Sequence, residues 1–130
     1  MSKYNEKIVK LILKKLDGEK IDFIYVFGSY AVQKQRKDSD VDIAFYSNKN
    51  YDEYRLFLVK NDISKIINHE VDLVQLKNSS TVFQKEVVSK GILIYEKDKN
   101  IRQNFEMVVM KKYMKLNQER AEIIENYNIN

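Results

Sequence analysis

The chain is expected to fold as α/β (α+β), with a single mixed β-sheet of about four strands flanked by helices and a long C-terminal helix. Three observations predict this. Four short runs rich in β-branched and aromatic residues lie at 21–27, 41–45, 71–76 and 92–95. The segments around them carry apolar residues at helical spacing. No internal repeat, low-complexity tract or linker interrupts the alternation, so residues 1–130 are expected to form one domain.

The elements follow in order. Tyr4, Ile8, Leu11, Ile12 and Leu16 recur at helical spacing, and Gly18 stands where that helix would stop. The run Ile21-Asp22-Phe23-Ile24-Tyr25-Val26-Phe27 reads as a buried strand. A short helix is expected from Ser29 to Gln35, ending in the polar loop Lys34-Gln35-Arg36-Lys37-Asp38. Residues 41–45 form the second strand and 47–50 a turn. Residues 51–68 are helical, with Tyr54, Phe57, Leu58, Ile63, Ile66 and Ile67 expected in the core. Residues 71–76 form the third strand, in which Asp72 shares a face with Val74 and Leu76. A helix over 80–90 opens at Ser79 or Ser80, Gly91 ends it, and 92–95 is the fourth strand. The last helix covers 100–127.

Chemistry concentrates between the first two strands. Val26-Phe27-Gly28-Ser29 closes one apolar run, and Asp40-Val41-Asp42-Ile43 opens the next after a ten-residue spacer. Glycine permits close approach of backbone or ligand. The amides after it, with a serine hydroxyl, can hold phosphate oxygens at a helix start. Alternate residues of a strand share a face, so Asp40 and Asp42 project together and away from Val41 and Ile43. Paired carboxylates beside an anion cradle suit Mg²⁺ bridging to a nucleoside triphosphate.

Gly28-Ser29 and Asp40-x-Asp42 at this spacing, with Asp72 in Val71-Asp72-Leu73-Val74 as a third acidic residue on a later strand, resemble the nucleotidyltransferase superfamily built on the DNA polymerase β core. Residues 20–96 carry the resemblance. The short chain is similar in particular to the minimal nucleotidyltransferases, often antitoxins paired with a HEPN-domain toxin (the MntA–HepT type). One departure is plain: the family often reads Gly-Ser-x-Ala-Arg-Gly, and here Val32-Gln33 follow Ala31.

The resemblance implies a nucleotidyltransferase fold and transfer of AMP from ATP to a protein hydroxyl, a tyrosine of the toxin. It implies two Mg²⁺ ions on Asp40, Asp42 and Asp72, the last completing coordination or taking the proton of the attacking hydroxyl. Gly28 and Ser29 would hold the β- and γ-phosphates, and Lys34, Arg36 or Lys37 would reach them from the loop. Two other readings stay open. The acceptor could be a small hydroxylated molecule such as an aminoglycoside, although relatives of that kind carry an additional helical domain. Alternatively the chain is a non-catalytic antitoxin that works by contact alone.

Composition narrows the rest. The net charge of +4 is spread among glutamates and selects no partner by itself. With no cysteine and a single histidine, His69, no thiolate or zinc site is expected. No apolar run is long enough to span a bilayer, and the N-terminus lacks the shape of a signal peptide, so a cytoplasmic location is expected. A template-holding region does not fit this length, and no direct nucleic-acid binding is expected.

The last helix carries a further signal. Phe105, Val108, Val109, Tyr113 and Leu116 form one stripe, and Met107, Met110 and Met114 fall nearly opposite. One stripe can dock on the sheet. The adaptable methionines are then expected to meet a partner or a second copy, unless both stripes pack inside the domain.

Overall fold

The computed structural model describes residues 3–28 and 40–127. Its elements are α1 (Lys3–Lys15), β1 (Ile21–Phe27), β2 (Val41–Ser47), α2 (Glu53–Ile67), β3 (Val71–Gln75), α3 (Thr81–Lys90), β4 (Ile92–Glu96) and α4 (Lys99–Tyr127). The strands form one mixed sheet in the order β3-β2-β1-β4. β1 runs antiparallel to both β2 and β4, and β2 runs parallel to β3 through the α2 crossover. The expected helix at 29–35 lies outside the described residues.

The alternation of side chains along each strand builds two cores. On one face Ile24 and Val26 of β1 and Val41, Ile43 and Phe45 of β2 pack under α1 and α2. On the other, Phe23 and Tyr25 of β1 and Ala44 of β2 pack under α3 and α4, joined by Leu76, Val87 and Phe105. Both faces of β1 are covered, which is why its sequence is an almost unbroken apolar run.

Local chemistry sets the helix boundaries. The Asp52 side chain accepts from the Arg55 amide at 2.7 Å and opens α2. Ser80, one of the two expected caps, accepts from the Phe83 amide and opens α3. Asn68 closes α2 in a left-handed conformation (φ 57°). α4 is tied to the sheet by charge as well as packing. The Tyr25 hydroxyl donates to Glu106 at 2.5 Å, and Arg102 bridges Glu106 at 2.6 Å and also Glu96 of β4.

Three differences from the sequence reading stand out. In α2 the core stripe is Leu56, Val59, Ile63 and Ile67, whereas Tyr54, Phe57, Leu58 and Ile66 are exposed. The helix is apolar through several phases, and packing against Ile8 and Ile12 of α1 selects this one. Leu76 does not continue β3; it opens a short 3₁₀ turn and is fully buried there. In α4 only Val109 of the expected docking stripe is fully buried, Phe105, Tyr113 and Leu116 are half-buried, and Val108 is exposed. Met107, Met110 and Met114 are exposed, so the two stripes do not both pack inside. From residue 117 to 127 every α4 side chain is exposed. Among the described residues no helix is long and apolar enough to cross a membrane.

Candidate active site

The site is assembled at one end of the sheet by strand register. Antiparallel pairing sets Phe27 of β1 opposite Asp42 of β2, so Gly28, one residue on, closes over the Asp42 side chain. Gly28 has φ +77°, and a Cβ placed there would stand 2.3 Å from the Asp42 Oδ2. Glycine therefore meets two demands at this point: a left-handed backbone and contact between backbone and carboxylate.

The third carboxylate arrives through the parallel pairing. Asp42 and Asp72 are register partners on β2 and β3, so they project from the same face of the sheet. Asp40 precedes β2 and is exposed, as is Asp72, while Asp42 is half-buried. The Asp42 pKa is raised, first by burial and then by the negative charges of Asp72 and Asp40. Asp72 and Asp40 thus both lie within electrostatic reach of Asp42.

The donor set fits a hard divalent cation. It consists of carboxylate oxygens alone, and their mutual repulsion is what a dication would relieve. Among the described residues no three histidine, cysteine, aspartate or glutamate side chains are drawn into a closed metal-binding cluster. Asp42 and Asp72 share a face of the sheet, with Asp40 just before β2, rather than forming a finished cage.

The structure therefore brings together Gly28, Asp42 and Asp72, with Asp40 alongside. Ser29, Lys34, Arg36 and Lys37 lie outside the described residues. His69 sits in the turn between α2 and β3, where its carbonyl accepts from the Ser64 hydroxyl at 2.5 Å. The sequence reading missed a cleft of about 330 Å³ beside Asp72, lined by Glu53, Leu56, Phe57, Lys60 and Leu73. No local pattern marks it, because it follows from the Leu56-Val59-Ile63-Ile67 core phase of α2, which packing selects and which leaves Phe57 and Lys60 outside the core. A larger cavity of about 400 Å³ is lined by Tyr46, Lys77, Gln84, Phe105 and Lys112, and includes none of the three acids.

The mixed sheet sets a glycine turn against one carboxylate and aligns a second from the next strand. The polymerase β nucleotidyltransferase family model matches residues 6–100, and the chain belongs to that family. It is 31% identical, over its whole length and 92% of the relative's, to the protein adenylyltransferase MntA of Shewanella oneidensis. Among solved structures it is similar to a chain of a toxin–antitoxin complex with AMP-PNP, with TM-score 0.84 and 29% identity, covering 95% of this chain and 97% of that one. It is also similar to a chain from the complex of tri-AMPylated Shewanella oneidensis HEPN toxin with MNT antitoxin. There the TM-score is 0.78 at 27% identity, with 95% of each chain covered.

Proposed function

We propose that this chain transfers AMP from ATP to a tyrosine hydroxyl of a HEPN-domain toxin in a Mg²⁺-dependent reaction, and so serves as the antitoxin of a toxin–antitoxin pair. The observation that carries the reading is the alignment of Asp42 with Asp72 under the Gly28 turn. The relative named protein adenylyltransferase and the neighbouring complex with an AMPylated HEPN toxin support the choice of nucleotide and acceptor.

Each residue has a task in this scheme. Gly28 and Ser29 hold the β- and γ-phosphates, with Lys34 and Arg36 reaching them from the loop. Asp40, Asp42 and Asp72 would hold two Mg²⁺ ions, which when bound neutralise the triphosphate and acidify the acceptor hydroxyl. Asp72, exposed on the edge strand, takes the hydroxyl proton directly or through water. The acceptor oxygen forms a bond to the α-phosphorus, the bond from that phosphorus to the β-bridging oxygen breaks, and pyrophosphate leaves. The exposed methionine face of α4 is the surface on which we place the toxin.

Radiolabelled ATP tests the reading. With a HEPN protein co-expressed from the same locus, label should pass to protein from α-labelled ATP and not from γ-labelled ATP, and chelation should stop it. Label from γ-labelled ATP would identify a kinase, and label from neither would leave neutralisation by contact alone.

A further inference from the structure

The end strand β3 pairs with β2 only, which leaves its other side open among the described residues. The Val41 amide donates to the Glu70 carbonyl at 2.8 Å, so the backbone of residue 70 faces β2. Successive strand residues send their N–H and C=O groups to opposite sides. Asp72 and Val74 therefore face β2, and Val71, Leu73 and Gln75 present theirs to the open edge. The Gln75 carbonyl is taken by the Ser79 hydroxyl at 3.0 Å, which closes one end and leaves Leu73 at the centre.

Edge strands are usually protected by lysine, proline or a bulge. Val71-Asp72-Leu73-Val74-Gln75 carries none of these, and its one charge belongs to the reaction site. Beside the edge, the Asp72 cleft shares Glu53, Leu56 and Leu73 with a second cleft of about 280 Å³ that Gln75 and Ser79 also line. Phe57 stands half out of the first cleft with the Lys60 ammonium 5.4 Å from its ring centre.

Building on the AMP-transfer reading, we infer that the open edge of β3 is the acceptor-docking site, where an extended segment of the acceptor protein adds as a fifth strand. Strand addition reads backbone through hydrogen bonds and alternate side chains through pockets. The two-residue period fits this edge on both faces. An acceptor side chain on the Asp42–Asp72 face reaches the carboxylates, and the residues before and after it turn to the α2 face. There Leu56, Phe57 and Leu73 offer an apolar wall, and the second cleft, lined by Glu53 but not by Lys60, favours a basic side chain. The occupant is thus an extended segment with its hydroxyl-bearing residue flanked by an apolar and a basic residue. A small-molecule acceptor would have no use for the free backbone groups of Leu73.

The test uses the full chain with the HEPN protein and Mg²⁺-ATP. Phe57→Ala removes an exposed side chain and Leu73→Pro removes the outward amide while sparing the pairing to β2. Each should raise the acceptor KM about tenfold, the loss expected when a docking anchor is truncated, with ATP affinity unchanged. In parallel, hydrogen exchange should show amides 71–75 protected when the HEPN protein is added. Unchanged KM values with normal transfer by the unsubstituted chain overturn the docking site and leave AMP transfer standing. If the unsubstituted chain transfers nothing, the proposed reaction fails, and protection at 71–75 alone then upholds the edge as a docking surface or, by its absence, removes it.

Discussion

Asp42 and Asp72 stand in register on neighbouring parallel strands, so two acids thirty residues apart in sequence share one face of the sheet. The register costs stability. Burial and the charges of Asp72 and Asp40 raise the Asp42 pKa, so its ionised form is disfavoured in the folded chain. A raised folded-state pKa means the protonated form stabilises the fold. That contribution is complete below the unfolded pKa and is lost as pH rises through the folded one. Asp42→Asn should therefore raise the melting temperature of the metal-free protein at pH 7. The gain should fade as pH falls below the ordinary carboxylate range, because Asp42 is then neutral in both states. Thermal melts of both proteins across pH check this; an equal gain at all pH values would contradict it.

Gly28→Ala should cost at least about 2 kcal/mol, since it adds both left-handed strain and a clash with Asp42. Urea denaturation measures the loss. AMP transfer should fall more steeply than stability, because the displaced group is Asp42 itself.

The anchor of α4 should be sensitive to Arg102. Arg102→Ala leaves Glu96 and Glu106 facing each other beside the Tyr25 hydroxyl and should destabilise by about 1–3 kcal/mol. Tyr25→Phe removes one hydrogen bond and should cost about 1 kcal/mol. Chemical denaturation of the two variants should preserve that order.

The methionine face should behave oppositely. Met107→Glu with Met114→Glu alters exposed positions and should change stability by no more than about 0.5 kcal/mol each. Binding to the HEPN protein should nonetheless fall by at least about tenfold. Calorimetric titration alongside a melt separates the two effects, and unchanged affinity would move the interface elsewhere.

The residues show which parts of this architecture local sequence encodes. β1 and β2 were legible because buried strands need β-branched and aromatic runs on both faces, and the Gly28, Asp40 and Asp42 spacing was legible because it lies within one short stretch of sequence. The core phase of α2 was not: Leu56, Phe57, Leu58 and Val59 are consecutive apolar residues, and only α1 decides which of them turn inward. The end of β3 was one residue short of the expected boundary because Leu76 is equally apolar in a strand and in the buried 3₁₀ turn. The pairing of Asp42 with Asp72 depends on a parallel crossover, a long-range register that no local pattern encodes. The cleft around Phe57 and Lys60 follows from the α2 phase and was hidden with it.

The most direct measurement is the intact mass of the HEPN protein after incubation with Mg²⁺-ATP and this chain, unsubstituted or carrying Asp40→Ala with Asp42→Ala. Increments of whole AMP units should appear with the unsubstituted chain, map to tyrosine, and vanish with the double substitution. Increments that survive the loss of both acids, or a HEPN protein silenced with no increment at all, would contradict the account.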